Sequence, residues 1–171
     1  MMANVITRLD LAHNRLLETI TPLSEESFTR CPAEDEWSVA QIVRHLCLVE
    51  ERVIRELALG LQQQPRQLSI LRQFVPTSIV ASRLVRVKAP KSVVPNNPPE
   101  KAATISAYNE ARKRLKELYT EHGAKRLKQT IFKHPFLGEI SGVATISFVA
   151  YHEQRHYKQI REVLRKLNRQ G

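Results

Sequence analysis

The chain has 171 residues, 42% of them hydrophobic, and its 27 Lys and Arg against 17 Asp and Glu give a formal net charge of +10. This length buries one sizeable core, so a single domain over residues 1–171 is expected. Two cysteines are too few for a disulfide framework, and no apolar run is long enough to span a bilayer. Residues 1–20 mix charged and apolar side chains rather than forming a signal peptide, which favours the cytoplasm.

The first helix is predicted over about residues 3–20, where apolar side chains recur every three or four positions. Thr21-Pro22 ends it, and the polar stretch 24–36 leads to the next helix. His13 lies near the apolar stripe of the first helix. It could border a pocket and bind substrate there, or it could occupy the helix edge.

A second helix is predicted to begin after Ser38 and to continue to about Leu59. Ser38 and Gln41 have the spacing of a capping box, in which each side chain bonds to the other residue's backbone N–H. His45 lies two turns inside this helix, among the apolar positions that should face the core. The pattern therefore predicts an imidazole directed into the interior.

A basic segment follows, because residues 61–99 contain six Lys or Arg and no acid. Residues 67–87 could form a helix that Pro76 breaks or bends, and residues 88–100 should form a loop. Such a surface attracts polyanions, but no nucleic-acid-binding module and no glycine-rich phosphate loop is visible. We therefore expect no specific nucleic-acid partner, and interpret the segment as a solvated basic face or a pocket lip that attracts an anionic substrate or thiol.

The third main helix is predicted over about residues 99–122, and residues 125–138 should be irregular or extended. His134 precedes a proline, which disfavours a helical conformation, so it should lie in the extended stretch. It could face solvent, or it could line the mouth of a pocket and contact substrate.

The last helix is predicted over about residues 141–168 and carries two histidines, His152 and His156. Side chains four positions apart lie one above the other on a helix, so both rings can bind one metal ion. Both also fall on the apolar stripe, where a buried imidazole costs roughly a few kcal/mol unless its nitrogens find partners. Metal ligands are therefore favoured over packed core histidines. His152 and His156 together with His45 give three nitrogen donors. One coordination position is left open, as in catalytic zinc-type sites.

The string His152 to His156 also fits the HExxH signature of zinc proteases, in which Glu153 would be the base. A third ligand from downstream is missing, because residues 157–171 contain no His and no Asp. Glu162 lies roughly 15 Å further along the same helix, too far to share the ion. A protease is therefore disfavoured. Glu153 could instead orient a ligand, accept a proton from bound water, or pair with Arg155 or Lys158.

Five short motifs follow one another in a distinctive order: residues 32–38 (PAEDEWS), 45–46 (HL), 134–138 (HPFLG), 152–156 (HEQRH) and 159–160 (QI). Their order and spacing resemble the DinB-like superfamily, in particular its YfiT-type branch, over nearly the whole chain. The resemblance implies a four-helix bundle with an unusual helix order, in agreement with the all-α class that scarce glycine and helical periodicity favour. It also implies a divalent metal such as nickel or zinc at His45, His152 and His156.

Chemistry in that superfamily is heterogeneous and includes thiol-dependent transferases, a thiol-dependent isomerase and hydrolases. We therefore predict a metal-dependent enzyme that activates a low-molecular-weight thiol or water, as an S-transferase or a hydrolase requires. The competing prediction is a metal-binding or stress-response module without turnover, because no further acid or base converges with the histidines in the sequence. The expected partner is a small-molecule substrate or thiol, and a homodimer is left open.

Overall fold

The computed structural model of the chain describes residues 5–69, 77–78, 93–95, 100–135 and 137–169. The described residues form four long helices, one short helix and a β-hairpin. In chain order they are α1 Val5–Ile20, α2 Glu25–Thr29, α3 Val39–Leu61, α4 Lys101–Lys128, β1 Ile131–His134, β2 Gly138–Ser141 and α5 Gly142–Leu167. The architecture is all-α, as predicted. Most of the predicted helix over 67–87 and of the loop over 88–100 lies outside the described residues.

Serine side chains fix the start of both helices that carry the candidate ligands. Ser38 accepts a hydrogen bond from the backbone N–H of Gln41, whose side chain accepts one from the backbone N–H of Ser38, so the capping box is confirmed. Ser141 caps α5 by accepting a hydrogen bond from the backbone N–H of Ala144 at 3.2 Å. A fixed first turn sets the position of every later side chain on the helix.

The end of α4 and the chain that follows it are more ordered than the sequence predicts. At Gly123 the backbone takes φ 69° and ψ 163°, a conformation essentially restricted to glycine, and the chain then resumes helical structure to Lys128. Residues 125–128 are therefore helical rather than irregular, a correction explained by the burial of Leu127 in the core. The strands pair antiparallel with Ile131 opposite Ser141 and His134 opposite Gly138. The hairpin delivers the chain directly into α5.

The four long helices enclose two apolar clusters separated by polar side chains. One cluster contains Leu9, Val53, Leu115 and Val149, and the other contains Leu16, Leu46, Tyr108 and Ile160. On each helix a buried polar residue lies in sequence between the two clusters. These residues, which we call the polar layer, are His13 on α1, Glu50 on α3, Arg112 on α4 and Glu153 on α5. No helix among the described residues is long and apolar enough to cross a membrane.

Candidate metal centre

Three imidazoles from two helices converge inside the bundle. His45 comes from α3, and His152 and His156 come from successive turns of α5. The Nε2 atom of His152 lies 3.4 Å from Nε2 of His45 and 3.1 Å from Nε2 of His156. One ligand atom from each residue lies within 4.8 Å of the others. His45 and His156 are buried and His152 is partly buried, so the structure brings together the three histidines singled out in the sequence.

Hydrogen bonds on the far side of two rings determine which nitrogen faces the centre. The Nδ1 atom of His45 lies 2.7 Å from the carbonyl oxygen of Val93, and Nδ1 of His156 lies 2.8 Å from Oε1 of Gln159. Because both oxygens can only accept, each Nδ1 carries the hydrogen and each Nε2 presents a lone pair. Acceptors of this kind orient histidine ligands in metal sites.

The donor set fits a divalent ion. The Nε2 atom of His152 faces the Nε2 lone pairs of His45 and His156. If this atom carried a hydrogen, it could donate it to only one of those lone pairs. Its Nδ1 is buried and finds no hydrogen-bond partner in the part of the chain that the structure describes. An ion among the three Nε2 atoms would use all three lone pairs at once, and imidazole suits zinc, nickel and copper alike.

Burial also favours the neutral form of the His45 and His152 rings. It lowers the pKa of His45, although the hydrogen bond to Val93 opposes the shift. The pKa of His152 lies well below its usual range, first because of burial and then because of the nearby His156 and His45 rings. Neutral imidazole is the form that binds metal, so these rings are ready for an ion at neutral pH.

Aromatic side chains surround the three histidines. The Trp37 ring centroid lies 5.2 Å from that of His45, and Phe148 stacks on His152 with centroids 5.3 Å apart. His134 packs edge-on against Phe148 at 4.5 Å. Trp37 and Phe148 place apolar surface beside the centre.

His134 is buried, so a solvent-facing position, one of the two predicted, is wrong. Strand β1 carries its ring inward, where Nδ1 accepts a hydrogen bond from the backbone N–H of Leu137 at 3.1 Å. Burial, followed by the charge of Arg52, lowers the pKa of His134 to about 4. Its place beside Phe148 fits the predicted contact with substrate, which stays a prediction.

Arg112 occupies the middle of the polar layer and contacts the other three long helices. Its Nε and Nη2 atoms donate to the two carboxylate oxygens of Glu50 at 2.8 and 3.3 Å. Nη2 also donates to Oε2 of Glu153 at 3.0 Å, and Nη1 donates to the carbonyl oxygen of Leu9 at 2.8 Å. All three charged side chains are almost fully buried. One guanidinium therefore links α4 to α1, α3 and α5.

Glu153 makes an ion pair with Arg112, a partner that the sequence did not indicate. Its Oε1 lies 3.7 Å from Nδ1 of His13, and neither atom has a hydrogen-bond partner among the described residues. Burial, and then the charge of Glu50, raises the pKa of Glu153 well above its usual range. These contacts fit a structural role beside His152 better than that of a base acting on bound water.

His13 is buried and borders a cleft between α1 and α4. Its Nε2 donates to Oδ1 of Asn109 at 2.9 Å, and burial, with Arg112 adding to it, lowers the pKa of His13 to about 4. The cleft has a volume of about 670 Å³, and residues of α1 and α4 line it. None of the three clustered histidines is among the lining residues, so a substrate contact by His13 at the metal stays a prediction.

Sequence reasoning missed Glu50 and Arg112. Glu50 lies four residues after Leu46 and three before Val53, and Arg112 lies four after Tyr108 and three before Leu115, so both occupy apolar stripes. Charged residues at core positions on two helices, together with Glu153 on a third, are a signal that could have been found. Buried charges require partners of opposite sign.

Comparison with known proteins places this architecture among described relatives. The profile of the DinB superfamily matches residues 8–160. Protein YuaE of Bacillus subtilis, described as uncharacterized, is 24% identical over 153 residues, covering 86% of this chain and 89% of the relative. YfiT from Bacillus subtilis, described as a probable metal-dependent hydrolase with an unusual four-helix bundle topology, has a similar structure. Its TM-score is 0.64 at 16% identity, covering 96% of this chain and 86% of YfiT. TT2238, a four-helix bundle protein, gives a TM-score of 0.61 at 19% identity, covering 92% of this chain and 96% of TT2238.

Proposed function

We propose that this chain, which belongs to the DinB superfamily, is a metal-dependent enzyme whose divalent ion is held by His45, His152 and His156. The observation that carries the proposal is the convergence of three Nε2 atoms, two of them with their Nδ1 atoms anchored on fixed acceptors. Three protein nitrogens leave a coordination position open, which is the arrangement of catalytic sites. When bound, the ion supplies a Lewis acid that lowers the pKa of a bound water or thiol towards neutrality.

The chain's own residues orient the ligands and limit access of water. Val93 and Gln159 hold the His45 and His156 rings in the tautomer that presents Nε2. Trp37 and Phe148 place apolar surface beside the histidines, which strengthens electrostatic interactions there by excluding water. A substrate with an apolar group next to its reacting atom suits this environment.

Two reaction classes use such a centre, hydrolysis and transfer to a low-molecular-weight thiol. The description of YfiT as a probable metal-dependent hydrolase supports the first. The second is supported by the thiol-dependent transferases that occur in the superfamily that the motifs resemble. Both reactions need a small-molecule substrate, and both need a nucleophile that is activated at the same open coordination position. Zinc and nickel are the metals that we expect, since the resemblance of the motifs implies them and imidazole ligands suit both.

A metal-binding module without turnover is the second candidate. The near-complete burial of His45 and His156 favours it, since buried ligands also occur in closed structural sites. The two candidates differ in whether the fourth position accepts an exogenous ligand.

The test begins with the metal content of the purified, untagged protein and continues with its cobalt-substituted form. Addition of a low-molecular-weight thiol should produce a thiolate-to-metal absorption band, and a transferase should then consume the thiol together with an electrophile. Metal-dependent hydrolysis of an ester without any thiol band would instead assign a hydrolase. His152→Ala should lose either activity while keeping its helical circular dichroism, and His122→Ala should keep both. Absence of turnover in both assays, with metal bound, would assign the binding module.

A further inference from the structure

We infer that Arg112 is a positioning residue for the metal centre, an inference that rests on the proposed metal site. Its guanidinium bonds to Glu50 on α3 and Glu153 on α5, the two helices that supply all three candidate ligands. Arg112 itself lies on α4 and contributes no ligand atom. It acts through the placement of α3 and α5.

The ion pair with Glu153 acts at the level of the ligands on α5. Glu153 follows His152 directly and precedes His156 by three residues, so its carboxylate lies within the turn that carries both rings. Holding this carboxylate fixes the rotation of α5 about its axis, and therefore the direction of both imidazoles. Glu50 is five residues beyond His45, about 7.5 Å along α3, and holds that helix in the same way.

The chemistry of the guanidinium suits this task better than that of an ammonium group. Its donors form a rigid planar fork, so two carboxylates bound to one guanidinium are fixed relative to each other. The fourth bond, from Nη1 to the carbonyl oxygen of Leu9, fixes the guanidinium itself. A metal site tolerates only about 0.2 Å in its ligand distances, so small shifts of α5 against α3 are sufficient to weaken binding.

Stability alone is a poor explanation for these buried charges, because well-packed apolar residues often replace a buried ionic cluster without loss of stability. A second ion pair formed by α4 provides a control. Lys116 on α4 donates to Asp10 on α1 at 2.8 Å, and both side chains are about 40% exposed (39% and 41%). That pair links α4 to α1, and neither residue lies on a helix that carries a candidate ligand.

The test compares Arg112→Lys and Arg112→Met with the control Lys116→Met. Cobalt affinity and the visible spectrum of the bound cobalt are measured in each full-length variant, together with metal-free melting temperature and circular dichroism. We expect both Arg112 variants to bind cobalt about 10- to 100-fold more weakly, with a changed spectrum. Arg112→Lys should lose less than Arg112→Met because an ammonium group still pairs with one carboxylate. Lys116→Met should bind cobalt as the wild type does.

Wild-type affinity and an unchanged spectrum in both Arg112 variants would overturn the inference and leave the metal site standing. A wild-type chain that binds neither cobalt nor zinc would overturn the metal site itself, which separates the two failures. If Arg112→Met does not fold, Glu50→Gln replaces it, since glutamine keeps the volume but not the charge that holds α3. Wild-type cobalt affinity in Glu50→Gln and Arg112→Lys would then overturn the inference.

Discussion

The ring of His45 and the backbone carbonyl of Val93 are joined by a 2.7 Å hydrogen bond between residues 48 positions apart. This bond puts the proton of His45 on Nδ1 and directs Nε2 towards His152. A backbone group in the connection between α3 and α4 therefore determines which nitrogen of a helical histidine is available to a metal ion.

We expect His45 and His156 to be Nδ1–H tautomers in the metal-free protein at neutral pH. Nitrogen-15 NMR of histidine-labelled protein distinguishes a protonated from an unprotonated ring nitrogen and reads the tautomer directly. Gln159→Leu removes the acceptor for His156 and should change the tautomer of that ring, whereas Gln154→Leu on the same helix should not. A proton on Nε2 of His45 would contradict the assignment.

Replacing any of the three clustered histidines should abolish stoichiometric metal binding. Metal that binds only the folded state stabilises it by about 2.7 kcal/mol at a free concentration 100 times Kd, so the wild type should melt at a higher temperature with metal. His45→Ala, His152→Ala and His156→Ala should each lose this shift. His122→Ala, near the end of α4, should retain it. Full occupancy in His45→Ala but not in His156→Ala would show that the three-histidine site is wrong.

Metal should remain bound below pH 6.5 and be released only in more acidic solution. Protons compete with the metal for imidazole, and burial lowers the pKa of His45 and, further, that of His152. Release should therefore have its midpoint below the ordinary histidine pKa of about 6.5. Metal retained after equilibration and desalting at a series of pH values measures the midpoint. A midpoint above pH 7 would contradict the lowered pKa values of His45 and His152.

His134 should make the metal-free protein less stable as the pH falls from 6.5 to about 4. Over that range the unfolded chain takes up a proton that folded His134, with its pKa lowered to about 4, does not. The unfolded state then binds more protons, so the free energy of unfolding decreases with acidification. His134→Leu should reduce proton uptake on unfolding by up to about one proton. Denaturant titrations with a chelator present measure the free energy of unfolding at each pH. Identical pH profiles of this free energy for the wild type and His134→Leu would refute the prediction.

Tyr108→Phe should stabilise the protein, by about 1 kcal/mol. The Tyr108 hydroxyl is buried and has no hydrogen-bond partner among the described residues, so its desolvation is not compensated. Tyr151→Phe is the control and should destabilise the protein, because the Tyr151 hydroxyl accepts a hydrogen bond from Arg8 at 2.8 Å. Equilibrium unfolding in denaturant measures both changes. A loss of stability in Tyr108→Phe would indicate a partner for the hydroxyl.

Residues with strong local signals were predictable from the sequence. The capping box at Ser38 and Gln41 depends on only four consecutive residues, and it begins α3 where expected. Residues His45, His152 and His156 stood out because imidazoles at apolar stripe positions need partners. Helical periodicity therefore predicted the all-α class and the histidine cluster, whereas the four-helix bundle was implied by the resemblance of the motifs to the DinB-like superfamily.

Features that depend on distant contacts were not predictable in the same way. Strands β1 and β2 have four residues each, too few for an alternating pattern to emerge, so the sequence left the burial of His134 undecided. Arg112 was overlooked because periodicity identifies apolar faces, while its partners Glu50 and Glu153 lie 62 and 41 positions away. Only the packing of four helices brings these charges together.

His45 and His152 are separated by 107 positions in the sequence, so their meeting also has a kinetic consequence. Contacts between such distant residues form only after the intervening loop has closed, which makes them slow to appear during folding. A metal ion should therefore find its complete ligand set only once the bundle has assembled, and contribute little to the rate of assembly. The ion should instead lower the rate of unfolding, because interactions that are absent from the transition state stabilise only the native state. Loss of the ion would shorten the lifetime of the folded chain without preventing its formation.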